Sequence, residues 1–513
     1  MYVVRLQHRI EATVARVEAT SESTSVSLTL QELSLFFTDV NEVKNIGQWE
    51  KVGTHTLKSL VSLLEKSIVA GKNVQLDIES PHDSSTHTID VSLEASIVAL
   101  ALVQANDLPI GIYSEELLEH IIGLLRYHTT HNVFPAFDEG SRRLYRSPAK
   151  SSKKPQQNQK PGKKNVGTEV KRMIGDLCLI CGMLEPILLR ETLDDSIIAP
   201  LIGTTISTLL IDGIPTLQTK CMNLCCTIFF KYEKHRQLVF EDFIAALWKL
   251  PVKGRSLRLF PVPGKEANIQ MATAFILTAI QKLVTSLKTF PDLQTMCTYF
   301  CSLEKKSVSP SYCQAAEWAH YFWKAVLERW PSSKSNHVDV KALMDNLVQD
   351  LMNTLDAPEW PASNLILYRL STLLGGPLGV QNKEVQIKHF SLDCVGRLTS
   401  RIKSDTASLR EKRPILFKTL APTSPEGDTA TAMSFLIAYL KICSEKGVSS
   451  DAIDFHFFQW VFESQTPSDG LNLERMQLEL QSFYKTSAKD GEIMEQQRHN
   501  ASSKHQCIRQ ELN

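Results

Sequence analysis

The sequence predicts an all-α protein, built as a solenoid of stacked helix pairs. Three observations carry this expectation. Apolar residues recur at helical spacing through most of the chain, Pro- and Gly-bearing turns separate the periodic stretches, and no segment alternates with period two between hairpin turns. A chain of 513 residues that is 43% apolar and 22% charged holds enough apolar side chain for a long core. A repeat solenoid makes such a length one body, because each repeat buries its apolar face against its neighbours.

Residues 1–92 form an N-terminal helical region. Residues 56–70 have helical periodicity, whereas residues 79–88 read as a polar loop. A first helical pair follows at 93–140, split by the turn-like Asn106-Asp107-Leu108-Pro109. Composition then changes. Between Ser141 and Arg172 there are eleven Lys or Arg against one acidic residue, so 141–168 is expected to be a basic disordered linker. Solvated insertion, nuclear import and phosphate contact all remain open for it.

The solenoid proper is expected at 169–465. Leu217, Cys221, Leu224 and Ile228 form one stripe, after a turn at Asp212-Gly213-Ile214 that delivers Pro215 into a first helical turn. Ile269, Ala272, Ile276, Ile280 and Leu283 form a second stripe. Leu343, Leu347, Leu351 and Leu355 form a third, and Ile387, Phe390, Cys394, Leu398 and Ile402 a fourth. Breakers are expected at Pro251, Pro261, Gly264, Pro291, Pro310, Pro331, Pro358, Pro361, Gly375 and Pro377. Helix pairs about 40 residues apart are the HEAT or armadillo signature. Residues 466–513 read as a helical extension and polar tail.

Composition excludes several classes. Lys plus Arg and Asp plus Glu both number 56, so the overall field favours no polyanion, and any nucleic-acid contact must come from local clusters. Eleven irregularly spaced cysteines, mostly within apolar helical stretches, suit a reducing compartment. There is no signal-peptide pattern and no run of 18 apolar residues, so no membrane span is expected.

Chemistry is sparse. Cys178, Cys181, Cys221 and Cys225 could supply four thiolates, but they lie in apolar helices without a zinc-knuckle turn, and core packing is the expectation. His128 and His131 lack a third ligand. Gly375-Gly376-Pro377-Leu378-Gly379 follows a helix and lacks a downstream Lys-Ser or Lys-Thr, so it is not a phosphate-cradling loop. No metalloprotease, hydrolase or kinase motif occurs, and neither enzyme activity nor a cofactor is expected. The candidate site residues are cations: Lys253, Arg255 and Arg258 on a Pro- and Gly-bounded loop, with Lys234 and Arg236 second. Their alternative role is to cap helix C-termini, where positive charge is favoured.

At these residues the sequence resembles a known family. Phe230-Lys231-Tyr232-Glu233-Lys234-His235-Arg236-Gln237-Leu238, followed by Leu250-Pro251 and Arg255-Ser256-Leu257-Arg258, looks like a signature of the Nipped-B/adherin cohesin loaders. Asn268-Ile269-Gln270-Met271, Pro358-Glu359-Trp360-Pro361-Ala362-Ser363 and Phe457-Phe458-Gln459-Trp460 continue the order, as do Asp107-Leu108-Pro109 and Phe134-Pro135-Ala136-Phe137-Asp138 upstream. The resemblance covers about 93–460 and corresponds to the family's N-terminal and central HEAT region.

The resemblance implies a nuclear HEAT solenoid that binds double-stranded DNA and cohesin, through its ATPase heads and kleisin. It also implies stimulation of cohesin ATP hydrolysis during sister-chromatid cohesion. The loader's tetratricopeptide-repeat partner is a further expected contact, although its binding segment is not seen in this sequence. Family members are longer and continue into further HEAT repeats, so a fragment or short form is expected. The alternatives are a generic HEAT scaffold, such as a transport or phosphatase adaptor, and an enzyme on an α-solenoid. Trp360 and Trp460 are expected to lock neighbouring repeats by burying their rings.

Overall fold

The computed structural model describes residues 2–20, 28–76, 84–109, 111–137, 167–248, 259–261, 268–285, 305–330, 340–355, 357–412, 440–441 and 443–465. Its described residues are helical almost throughout. Two three-residue strands, Leu259–Pro261 and Asn268–Gln270, pair with each other. The chain divides into two compact units, Met1–Phe260 and Pro261–Asn513.

The first unit holds α1 (Tyr2–Thr20), α2 (Leu30–Ile46), α3 (Thr54–Gly71), α4 (Ser84–Val103), α5 (Glu115–Tyr127) and the short α6 (Phe134–Phe137). It continues with α7 (Thr168–Arg190), α8 (Asp195–Leu209), α9 (Pro215–Lys231) and α10 (Arg236–Leu247). Packing sorts these helices into two rows. In one, α1, α3, α5, α8 and α10 each lie on the next; in the other, α2, α4, α7 and α9 do the same. Between rows, α1 meets α2, α3 meets α4, and α9 meets both α8 and α10. This is the stacking of a helix-pair solenoid, in which each pair covers the apolar face of its neighbour.

Local chemistry explains the elements. In α1, Val3, Leu6, Ile10 and Thr13 fall on one buried face at spacings of three and four. Thr29 and Glu32 close a reciprocal capping box at the start of α2. The α4 helix is buried nearly all round by α2, α3 and α7 and therefore lacks a polar face. Its length and hydropathy match a membrane-spanning segment, but this burial is that of a core helix in a stack. It begins at Ser84, within the stretch expected to be a loop, because five polar residues, 84–88, form an exposed or half-buried start and apolar burial begins at Ile89.

The turn into α9 is as expected. Gly213 has φ +88°, a conformation that glycine adopts without a Cβ penalty, and Pro215 opens the helix. Leu217, Cys221, Leu224 and Ile228 are all buried.

The second unit holds α11 (Met271–Lys282), α12 (Lys305–Arg329), α13 (Val340–Asn353), α14 (Ala362–Leu374), α15 (Val385–Lys412) and α16 (Ser450–Gln465). Here α11, α13 and α15 form one row and α12 and α14 another, with α16 against α11 and α12. Ile387, Phe390, Cys394 and Leu398 are buried; the side chain of Ile402 lies outside the described residues. Leu355 falls beyond the end of α13 and is half-buried.

One expected breaker does not break. The α12 helix runs through Pro310, near its start, where proline removes the backbone bond to residue 306 and crowds its carbonyl. The glycine-rich turn after α14 has a steric cause. A Cβ on Gly379 would stand 2.1 Å from the Leu374 carbonyl oxygen, so the chain can fold back here only with glycine. Residues 141–166 of the basic linker, Pro251, Gly264, Pro291 and the polar tail lie outside the described residues, and the linker's last residue, Thr168, already opens α7.

Candidate functional site

Lys253, Arg255 and Arg258 lie outside the described residues, between the end of α10 and the strand that starts at Leu259. Lys234 and Arg236 are described, and the structure gives them different environments.

The α9 helix ends at Lys231, and residues Glu233–His235 form one 3-10 turn before α10 starts at Arg236. Arg236 is only 5% exposed. Its Nε donates to the Phe229 carbonyl at 2.8 Å and its Nη2 to the Phe230 carbonyl at 2.9 Å. These are carbonyls of the last turn of α9, which have no intrahelical partner. Arg236 is therefore a buried C-cap, with Glu233 3.6 Å away as a partial counter-charge. Burial pulls its pKa below the usual arginine range, and Glu233 opposes that shift.

Lys234 instead projects from the turn, 63% exposed, with its Nζ 2.6 Å from Asp195 Oδ1. The His235 Nε2–H donates to the same oxygen at 3.0 Å. Asp195 opens α8, so its carboxylate also sits in the favourable field of a helix N-terminus. The Lys234 and His235 hydrogen bonds hold its pKa below the usual carboxylate range.

Tyr232 completes the arrangement. Its hydroxyl donates to the Glu191 carbonyl at 3.1 Å and accepts from the Leu193 amide at 3.2 Å. Burial pushes its phenol pKa up. The Tyr-Glu-Lys-His-Arg stretch thus fastens the α9–α10 turn to the α7–α8 turn. Within it Tyr232, His235 and Arg236 are struts, while Glu233 and Lys234 face solvent.

The same α7–α8 turn carries a cation that sequence reasoning missed. Arg190 caps α4, with Nη2 on the Val103 carbonyl at 2.6 Å and Nη1 on the Gln104 carbonyl at 3.2 Å. Gln104 in turn accepts from Lys44 on α2 and donates to the Met183 carbonyl on α7. A basic residue in the last turn of α7 was legible, but its target is set by packing.

Between α4 and α7, Asp90, Glu94 and Asp176 crowd together with Arg172 paired to Asp90. Burial raises the pKa of Asp176 to about 6, and Glu94 and Asp90 add to the rise. This acidic cluster also went unread, because its members are far apart in sequence.

In the second unit the Pro358–Ser363 stretch plays the same fastening role. The His456 Nε2–H on α16 donates to the Pro358 carbonyl at 2.9 Å, and Gln281 Nε2 on α11 donates to the Glu359 carbonyl at 3.2 Å. Trp360 is 7% exposed, and Ser363 and Thr354 share a 2.7 Å hydrogen bond. Trp360 thus buries its ring as expected; the Trp460 side chain lies outside the described residues. Burial lowers the pKa of His456, and its hydrogen bond to the Pro358 carbonyl opposes that shift.

The cysteine and histidine motifs pack. Cys178, Cys181, Cys221 and Cys225 are buried, with Cys181 and Cys221 Sγ atoms 3.9 Å apart. Burial pushes the thiol of Cys178 up to about 11 and that of Cys225 to about 12. His128 donates from Nε2 to the Gly71 carbonyl at 3.1 Å and accepts from Asn132 at Nδ1, with its pKa lowered by burial to about 4. Among the described residues no group of three or more His, Cys, Asp or Glu could hold a metal ion.

No family model matches the chain. It is 24% identical to the Nipped-B-like protein A of Danio rerio over 91% of this chain and 20% of that protein. It is 26% identical to the Nipped-B-like protein of Mus musculus over 93% of this chain and 18% of that protein. The chain thus spans about a fifth of the length of the curated relatives it matches. Among solved structures it resembles the Chaetomium thermophilum cohesin loader SCC2, C-terminal fragment, with a TM-score of 0.63 and 14% identity, over 96% of this chain and 40% of that one. The resemblance to Nipped-B proteins read from the motifs holds over most of the chain, and the all-helical fold is similar to that of the SCC2 fragment.

Proposed function

We propose that the chain is a HEAT-solenoid segment of a cohesin-loading factor. In this reading it works in the nucleus, binds double-stranded DNA and the cohesin ring, and stimulates ATP hydrolysis by the cohesin heads without catalysing a reaction itself. The observation that carries it is the match to Nipped-B-like proteins over nine-tenths of the chain.

Lys253, Arg255 and Arg258 contact DNA phosphates or cohesin carboxylates, and exposed Lys234 adds a further cation. Arg236 contributes by holding the turn that presents Lys234, since its guanidinium is spent on the end of α9. Contacts of this kind position without reading sequence, so binding is salt-sensitive and sequence-tolerant.

The test is reconstitution with purified cohesin and duplex DNA. The chain is expected to co-purify with cohesin and to raise its ATP turnover, and Lys253→Glu/Arg255→Glu/Arg258→Glu to lower both. A chain that neither binds cohesin nor alters its ATP turnover would sink the reading.

A further inference from the structure

The second unit carries a cluster of cationic side chains that the loader reading does not use. His320 and Lys324 stand one turn apart on α12, and Arg369 lies on α14, which packs against α12. The register is fixed by the Trp323 indole N–H, which donates to the Ile366 carbonyl at 3.0 Å. Three residues back on α12 and three on along α14, His320 and Arg369 come within electrostatic reach of each other, and Lys324 acts on the same imidazole.

These groups are poorly compensated. The Arg369 Nε is shielded from solvent and has no hydrogen-bond partner among the described residues, and its guanidinium lies 5.7 Å from the centroid of the Tyr368 ring. Lys324 has one loose ion pair, 3.9 Å to Glu328, and is about half exposed. Burial, Arg369 and Lys324 all lower the pKa of His320. An unsatisfied buried donor on a charged group costs stability unless something arrives to accept from it.

We propose that His320, Lys324 and Arg369 form a receptor for a single phosphate group on a partner protein, a phosphorylated serine or threonine side chain. The dianion would take charge-assisted hydrogen bonds from Arg369 and Lys324, and a third from His320 in its protonated form. Exposed Glu317 and Glu328 flank the cluster on the same helix. They would repel the continuous charge of a nucleic-acid backbone, but suit a phosphate set between basic residues of a peptide. The site is in the second unit and is independent of the loader reading.

The probe is a short synthetic peptide with one phosphoserine between lysines, titrated by fluorescence anisotropy into the intact chain. Its unphosphorylated twin, inorganic phosphate as competitor and a duplex DNA run alongside. The phosphopeptide is expected to bind, to be displaced by phosphate, and to lose about tenfold in affinity with Lys324→Gln, an exposed change that the fold tolerates. Arg369→Gln weakens binding further, and Glu328→Gln, which frees Lys324, strengthens it.

Equal binding of the two peptides, or an affinity indifferent to Lys324→Gln and Glu328→Gln, overturns the proposal. So does a Lys324→Gln chain, folded by circular dichroism, that loses duplex DNA while phosphopeptide binding stays intact.

Discussion

Replacing Arg236 with alanine separates a structural cation from a binding one. The substitution removes two hydrogen bonds from a charged donor, to the Phe229 and Phe230 carbonyls, and leaves both at a helix end whose surroundings are apolar. Hydrogen bonds to charged groups are worth about 1.5–3 kcal/mol each, and part of the loss is recovered if water reaches the carbonyls. A net destabilisation of about 3 kcal/mol follows. Arg236→Lys should lose roughly half of that, since one ammonium cannot reproduce the guanidinium fork. Lys234→Ala, two residues away, removes a solvent-exposed ion pair and should stay within about 0.5 kcal/mol of the parent. Urea denaturation followed by circular dichroism reads all three. If Arg236→Ala unfolds at the parent midpoint, or Lys234→Ala costs as much, the division of this motif into struts and surface charge is wrong.

Tyr232→Phe strands the buried Leu193 amide and should cost about 1–3 kcal/mol, with faster hydrogen exchange at that amide. Asp176→Asn should change the pH dependence of stability. The folded carboxyl holds its proton up to about pH 6 against an ordinary 3.8, so the penalty for ionising it grows through that window and is complete above it. The asparagine variant should gain about 1 kcal/mol near neutral pH, after discounting for partial exposure, and nothing at about pH 3. Equal urea midpoint shifts at both values would contradict this. The buried thiols of Cys178, Cys181 and Cys225 should resist alkylation in the native protein and react on denaturation, because their pKa values are raised and only the thiolate is nucleophilic.

Periodicity made the helices legible wherever one face is buried. The stripe from Leu217 to Ile228 and the turn at Gly213 and Pro215 follow directly from spacing and proline geometry. The first region was harder, although Val3, Leu6 and Ile10 and the Thr29–Glu32 capping box carried the usual signals. The start of α4 depends on tertiary packing, which overrides the local preference of polar residues, and α12 passes through Pro310 because that residue lies near the helix start. Packing also decided the fate of the charges. Nothing in Lys234-His235-Arg236 says which side chain turns back onto α9 and which points outward. That distinction depends on where the Phe229 carbonyl and Asp195 stand in the folded chain. Two of the motifs that carried the family resemblance, at Tyr232 and at Pro358, fasten turns to neighbouring elements.

The central claim, a backbone-reading DNA contact through the loop of Lys253, Arg255 and Arg258, is tested most directly by the salt dependence of duplex binding. Each phosphate contact contributes about 0.9 to the slope of log affinity against log salt. The triple charge reversal should therefore flatten that slope by about 2.7 or more and weaken binding equally on unrelated sequences. An unchanged slope and affinity would place DNA contact elsewhere and contradict the account.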